Sequence, residues 1–190
     1  MNVGYCGQFD PSYTRNRVLI NGLRENGYRV ELCRTESDHR WWGKFIHSPL
    51  RYREVCKDLD LLIVGTPGYR DVPAWRIPAS IDQKPLVFDA FASTYDTEVL
   101  DRNNFSSGSL AAHKLRFIDR LSCALADVIL VDTPETMEFF VSELGVSKSK
   151  IHPIPIGADN TVFYPQDDPS NETDGPFRIW FHGSYIPLQG

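Results

Sequence analysis

The sequence lacks the features that mark several large classes of protein. It has no run of about twenty apolar residues, the length that a membrane-spanning helix needs, and no charged segment followed by an apolar stretch at its start, as a secretory leader has. Acidic residues outnumber basic ones by 25 to 20, for a net charge of -5. A general nucleic-acid binder needs a basic surface, so we exclude that class and expect a cytoplasmic protein.

Patterns that bind metals or cofactors are also missing. The four cysteines, Cys6, Cys33, Cys56 and Cys123, lie far apart and form no C-x-x-C pair, and the five histidines show no H-x-x-x-H spacing. Neither a zinc site nor a redox dithiol is indicated, and we expect reduced, mostly buried thiols. The first turn does not complete the G-x-G-x-x-G fingerprint of a nicotinamide-binding fold. We therefore expect no metal and no cofactor.

Short apolar runs alternate with helical patterns along the chain. This alternation predicts an α/β fold of the Rossmann-like, doubly wound kind, with a mainly parallel six-stranded sheet and helices on both faces. Longer helical patterns cover Ser109 to Ala126 and Pro134 to about Leu144. The predicted strands are Asn2 to Cys6, Tyr28 to Cys33, Leu61 to Gly65, Leu86 to Phe88, Val128 to Val131 and Ile151 to Ile154.

Two stretches fit neither strand nor helix, and each follows the end of a strand. They run from Thr35 to Pro49 and from Ala90 to Gly108. Ligands of a doubly wound sheet gather beyond the carboxyl ends of its strands. Both stretches are therefore candidate walls of a binding site.

The turn after the first strand and the start of the helix that follows supply candidate ligand-binding residues. Arg15 and Asn16 open the first helix, where free N–H groups and the helix dipole favour an anion. The alternative is that the arginine is a solvated surface charge. Gly7, followed by Gln8, either lets a ligand approach the backbone or serves only the conformation of a tight turn.

Asp89 is a polar residue at the carboxyl end of the fourth predicted strand. In that position its carboxylate is placed to contact a ligand, which makes it the candidate catalytic residue. The alternative is that it caps the next turn through its own backbone.

The segment from Arg40 to Arg53 is a local exception in an acidic chain, because it has four cations and several aromatic residues but no acid. Tryptophan and basic side chains together favour a membrane interface, so Trp41, Trp42 and Lys44 are candidates for peripheral contact with the inner face of a membrane. The alternative is that the aromatic residues pack into the core while the cations face water.

The last part of the chain carries a recognisable series of motifs. Thr133 ends a strand, the turn Pro155-Ile-Gly157-Ala-Asp159 follows the last predicted strand of the sheet, and Gly183 to Gly190 form a loop after the apolar segment Phe177-Arg-Ile-Trp-Phe. These motifs resemble the crossover between the two lobes of retaining GT-B glycosyltransferases of family four. The resemblance implies an N-terminal, acceptor-side lobe at 1–165, a linker at 166–176, and at 177–190 the first strand and loop of a C-terminal donor-binding lobe.

The resemblance also implies an activity. Such an enzyme moves a sugar with retention from a nucleotide-sugar donor to a glycan or lipid-linked acceptor, without a metal, as in the synthesis of cell-surface polysaccharides or glycoconjugates. It places Gly7, Gln8, Arg15, Asn16 and Thr133 on the substrate side. The 190-residue chain is then half of the enzyme and inactive by itself.

Two other classes stay open. One is a free-standing subunit that binds carbohydrate or a lipid-linked glycan and pairs with a separate donor-binding chain. The other is an unrelated flavodoxin-like or epimerase-like domain, which tight binding of flavin or nicotinamide would reveal. If the chain is a transferase lobe or such a subunit, the segment Phe177 to Phe181 lacks its own sheet, and we expect it to be disordered, to pair with a second copy of the chain or to dock on a sheet edge.

Overall fold

The structure is a computed structural model that describes residues 1–35, 43–56 and 58–164. The predictions for Trp41, Trp42, Gly183 and Gly190, and the predicted linker and second-lobe strand, lie outside these residues.

The six predicted strands are all present and form one parallel sheet, which confirms the predicted fold class. The strand order is β2-β1-β3-β4-β5-β6, and every pair of neighbours is parallel. The predicted strand ends agree with the structure to within a residue or two, except that β4 continues three residues further than predicted. The bounds are β1 Asn2–Gly7, β2 Arg29–Arg34, β3 Leu61–Val64, β4 Leu86–Phe91, β5 Val128–Val131 and β6 Ile151–Pro153.

Within the described residues, five α-helices connect the strands, with short helical turns before β3, before α3, after β4 and before β6. Ser109 and Thr133 cap the last two helices, because each hydroxyl accepts a hydrogen bond from a backbone N–H three residues later. The stretch from Thr35 to Pro49, predicted to be irregular, contains most of α2, which lacks a side-chain cap and includes Pro49. The bounds are α1 Thr14–Glu25, α2 Lys44–Arg51, α3 Val72–Ile81, α4 Leu110–Leu125 and α5 Pro134–Ser142.

The two faces of the sheet are covered unequally. Ile20 of α1 packs with Val3, Tyr5 and Ile63 on one face, while α3, α4 and α5 pack against the alternate strand residues on the other face. The chain moves from β1 outward to β2 and then back past β1 to β3. The carboxyl ends of β1 and β3 therefore form the switch point at which ligands of such sheets bind.

The redox state of the cysteines agrees only in part with the expectation. Cys6 and Cys123 are free and buried, but Cys33 is disulfide-bonded, so the expectation that all four are reduced is wrong. The expectation rested on separation along the chain, which does not fix the distance between side chains in a parallel sheet.

Within the described residues, no group of three His, Cys, Asp or Glu side chains is placed to hold a metal ion. None of the helices in that part of the chain has the length and apolar character to cross a membrane.

Candidate active site at the carboxyl ends of the strands

A recess of about 500 Å³ lies beyond the carboxyl ends of β3 and β4, and we call it the main recess. Three segments form most of it: the loop between β1 and α1 with Tyr13, the turn after β3 with Thr66, and the chain from Ala90 at the end of β4 to Thr94. The stretch from Ala90 to Gly108, predicted from the sequence as a wall, provides most of its lining.

A second recess of about 340 Å³ adjoins the first, and we call it the side recess. The two share Pro67, Tyr69, Thr94 and Glu98. The side recess adds Gln8 and Arg70, among others. Arg70 is exposed, and no acidic partner for it is found in the part of the chain that the structure describes. It therefore provides an unneutralised cation at this edge.

Two glycines allow the backbone to come close at the switch point. A Cβ on Gly65, directly after β3, would lie 2.3 Å from Cε1 of Tyr5, which is far inside van der Waals contact. Gly7 at the end of β1 has a φ of +106°, a conformation that favours glycine, and a Cβ there would lie 3.3 Å from Oδ2 of Asp71. Both ends of the switch point thus need glycine for conformation and packing.

A buried ion pair forms part of the wall of the side recess. Nζ of Lys44 is 2.6 Å from Oδ1 of Asp71, and the backbone N–H of Gln8 donates to Oδ2 of the same carboxylate at 3.2 Å. Both charged residues are buried. The pair ties the start of α2 to the turns after β1 and β3, so the Lys44 ammonium is not available for a membrane surface in this conformation.

Arg15 and Asp89, both predicted to meet a ligand, hold each other instead. Nε of Arg15 donates to Oδ1 and Oδ2 of Asp89 at 2.8 and 3.0 Å, and Nη2 lies 2.7 Å from Oδ1. Nη1 donates to the carbonyl of Ile154 at 3.2 Å. Asp89 has no exposed surface and Arg15 is 3% exposed. Burial raises the pKa of Asp89, and the hydrogen bonds from Arg15 partly oppose that rise.

The polar groups of Asn16 likewise bind other parts of the protein. Its Nδ2 donates to the carbonyls of Asp10 and Thr66, both at 2.9 Å, and its Oδ1 accepts from the hydroxyl of Tyr5 at 2.9 Å. Its side chain is completely buried. Asn16 therefore shapes two walls of the main recess by fixing the loops after β1 and β3, while its own polar groups are already used.

The wall after β4 is organised by Asp119 of α4, which has no exposed surface. Its carboxylate accepts hydrogen bonds from the hydroxyl of Ser93 at 2.6 Å, from the hydroxyl of Thr94 and from the backbone N–H of Tyr95 at 2.9 Å. Burial raises the pKa of Asp119, while these hydrogen bonds lower it. One carboxylate thus positions three consecutive residues next to the recess.

The remaining side chains of the main recess present mixed chemistry to a solute. Glu98 is held by Arg102, whose Nη1 donates to Oε1 at 3.0 Å, and by Asn104, whose Nδ2 donates to Oε2 at 2.7 Å. Tyr13 is 46% exposed, and its hydroxyl has no hydrogen bond within the described residues. An aromatic ring, hydroxyls and a fixed carboxylate in one concavity are suited to a polar, uncharged ligand with many hydroxyls.

Three predicted residues lie apart from the recesses. Thr133 caps α5 through Oγ1, which accepts from the N–H of Thr136 at 3.1 Å. Asp159 pairs with α1, since Nε of Arg17 is 2.5 Å from its Oδ2, and hydrogen bonds from Thr161 together with Arg17 lower its pKa. Gly157 packs on the same helix, because a Cβ there would lie 3.3 Å from Cγ1 of Val18. The predicted interlobe turn therefore contacts α1 through an ion pair and a packing contact.

The structure adds four residues that the sequence reading missed, namely Gly65, Asp71, Glu98 and Asp119. Gly65 carried a local signal, because it is directly followed by Thr66-Pro67-Gly68, a run of turn-forming residues at the carboxyl end of a strand. Glu98 lies in the Ala90 to Gly108 stretch that the sequence predicts as a wall, whereas Asp71 and Asp119 carried no local signal.

Comparisons with known proteins bear on the fold. The sequence matches no model of a known protein family, and no curated protein matches it. Among solved structures, it is similar to Anabaena Alr3699/HepE in complex with UDP and glucose, with a TM-score of 0.55 and 14% identity over 88% of this chain and 47% of that one. The same protein in complex with UDP gives a TM-score of 0.51 and 14% identity over 85% of this chain and 46% of that one. The chain spans about half the length of these structures, and the likeness shows that they share its α/β fold.

Proposed function

We propose that this chain is the acceptor-side lobe of a glycosyltransferase that uses a nucleotide-sugar donor. The main recess carries the proposal, because it lies at the switch point of a doubly wound sheet and offers an exposed tyrosine, hydroxyls and a fixed carboxylate. Support comes from the fold that the chain shares with a protein crystallised with UDP and glucose. We further propose that the donor-binding lobe lies outside the chain, that the reaction retains configuration and that the product is a cell-surface glycan. These three points rest on the resemblance of the tail motifs alone.

Arg15, Asp89 and Asn16, which we call the framework residues, have a structural role in this function. Arg15, Asp89 and Asn16 do not contact a solute in the present conformation, because their polar groups bind one another and the neighbouring loops. We assign them the role of fixing the shape of the main recess. Tyr13, Thr94 and Glu98 are the side chains that we expect to meet the acceptor.

Binding of saccharides to the chain tests the proposal directly. We would record amide chemical shifts during titration with a panel of neutral oligosaccharides, with UDP and with UDP-glucose. We expect millimolar saccharide to shift the amides of Thr66, Ser93 and Thr94. Replacing Tyr13 with Ala should weaken the effect about tenfold, while Tyr28→Ala serves as the control, because Tyr28 is also exposed (38%) but lies at the opposite end of the sheet.

Transfer itself is to be assayed with the longest natural protein that contains this sequence. Release of nucleotide from a sugar donor, with the anomeric configuration of the product read by NMR, decides the reaction and its stereochemistry. Saccharide binding without transfer in that protein would favour the carbohydrate-binding subunit. Tight flavin or nicotinamide binding with no response to saccharides would refute both.

A further inference from the structure

A groove on the outer side of α4 is separate from the two recesses and shares no lining residue with either. Its volume is about 900 Å³, within the usual range of small-molecule sites. It runs beside α4 from His113 to Ala124, about 16 Å at 1.5 Å per residue, and is closed by the turn from Leu144 to Lys150. Because α4 leads into the amino end of β5, much of this groove lies away from the carboxyl edge. We call it the basic groove.

Three of its lining side chains are cationic. Arg116, Arg120 and Lys150 line it together with His113, and no acidic residue does. The chain as a whole carries a net charge of -5, so this concentration of positive charge is a local exception.

Two of these three cations, Lys150 and Arg120, have no acidic partner among the described residues. Nζ of Lys150 donates to the carbonyls of Ala126 at 2.9 Å and Ala124 at 3.3 Å, and no acidic side chain pairs with it in the described part of the chain. Arg120 is exposed and also has no acidic partner there, while its Nη2 would lie 3.7 Å from a Cβ on Gly145 across the groove.

Arg116 is fixed more firmly than the other two. Its Nη2 donates to the carbonyl of Glu143 at 2.7 Å, and the carboxylate of that residue lies 3.5 Å away. Its guanidinium carbon lies 5.5 Å from the centre of the Tyr95 ring, and its Nε is buried without a hydrogen-bond acceptor. Most of the positive charge in the groove is therefore positioned but not neutralised.

The floor of the groove is apolar. Leu121, Leu144, Val146 and Cys123 line it. The Cys123 thiol is uncharged, because burial raises its pKa to about 12. At the rim Phe117 is 63% exposed. A ligand that satisfies both parts of the groove carries a negative charge at one end and an aliphatic or aromatic body at the other.

We propose that the basic groove binds an anionic amphiphile, such as an alkyl phosphate, with its charged group between Arg120 and Lys150 and its apolar body on Leu121 and Leu144. The inference is independent of the proposed transferase activity, since it uses none of the residues of the main or side recess. Two sources share this chemistry, a free amphiphilic phosphate and the headgroup region of an anionic lipid.

The test titrates the full chain with octyl phosphate below its micellar concentration, and with 1-octanol and inorganic phosphate as separate probes. We expect octyl phosphate to bind at least tenfold more tightly than either, with affinity falling as salt rises. Equal affinity for octyl phosphate and 1-octanol, or for octyl phosphate and inorganic phosphate, would overturn the proposal, because one half of the groove would then be unused.

Variants locate the site. Arg120→Ala should weaken octyl phosphate binding about five- to tenfold. Arg24→Ala removes another exposed arginine, which does not line the groove, and should change nothing. Both positions are exposed, so the fold is expected to survive, and circular dichroism checks this. Equal losses in the two variants would show nonspecific attraction of charge and refute the site.

A sedimentation arm distinguishes the two sources. Vesicles of phosphatidylcholine with 20% phosphatidic acid are compared with vesicles of phosphatidylcholine alone. Arg120-dependent cosedimentation with the anionic vesicles supports a lipid headgroup as the ligand. Binding of octyl phosphate without cosedimentation supports a free amphiphile, and failure of both arms rejects the proposal.

Discussion

The buried pair of Arg15 and Asp89 gives a sharp test of how this fold is held together. The pair joins α1, β4 and the carbonyl of Ile154 after β6, and both side chains are almost fully buried. Removing one partner of a buried ion pair leaves an uncompensated charge and costs about 3–5 kcal/mol. With a urea dependence of roughly 2 kcal/mol per molar, Arg15→Met or Asp89→Asn should lower the urea midpoint by about 1.5–2.5 M.

The two single variants should differ in their response to pH. In Arg15→Met the buried Asp89 loses the group that opposed the rise of its pKa, so its folded pKa lies still further above the unfolded value of about 3.9. A folded state with the higher pKa binds the extra proton, and stability therefore falls as pH rises between the two values. The loss of stability in Arg15→Met relative to the unaltered protein should therefore shrink as the pH falls. The change is up to about 1.4 kcal/mol for each pH unit below the pKa of Asp89 in the folded variant.

Asp89→Asn should show no such recovery, because the guanidinium left behind stays charged throughout this range. The double variant Arg15→Met with Asp89→Leu removes both charges and should be more stable than either single variant. Arg29→Met is the control, since it breaks a surface pair whose side chains are 71% and 34% exposed, and should cost at most about 1 kcal/mol.

Urea unfolding followed by circular dichroism at pH 7 and pH 5 measures all five proteins. Single-variant losses below about 1 kcal/mol, or an equal pH response in the two single variants, would refute this account of the pair.

Three further predictions follow from the packing. Gly65→Ala should lower stability by about 1–3 kcal/mol in thermal unfolding, because its Cβ would lie 2.3 Å from a carbon of the Tyr5 ring. Gly22→Ala, in a helix with open space around it, should raise stability by about 0.5–1 kcal/mol. The reverse order of stability would contradict the packing. Asp119→Asn should speed hydrogen exchange at residues 93–97 and cost about 1–3 kcal/mol, and unchanged exchange would count against its positioning role. Cys123, with a pKa of about 12, should resist thiol reagents at pH 8 until the protein unfolds, as peptide mass spectrometry would show; rapid labelling of the folded chain would disprove its burial.

The sequence by itself determined the order and kind of the main elements. Apolar runs such as Val128–Val131 are short and bounded by polar residues, and the pattern before them repeats at helical spacing, so strand and helix can be told apart locally. The Ala90–Gly108 stretch was assigned to the carboxyl edge in the same way, because the end of a strand marks the edge at which ligands of a parallel sheet collect.

Only the tertiary structure decided which polar residues are free to act. Arg15 and Asp89 are 74 positions apart along the chain, and nothing in the local sequence shows that they meet and neutralise each other. The same holds for Lys44 with Asp71 and for Asp119 with the Ser93 turn. Pairings of this kind depend on which strands lie side by side, and strand order is a property of the whole chain. The sequence could therefore locate the edge at which ligands of such sheets bind, while the pairing of the polar residues at that edge required the folded protein.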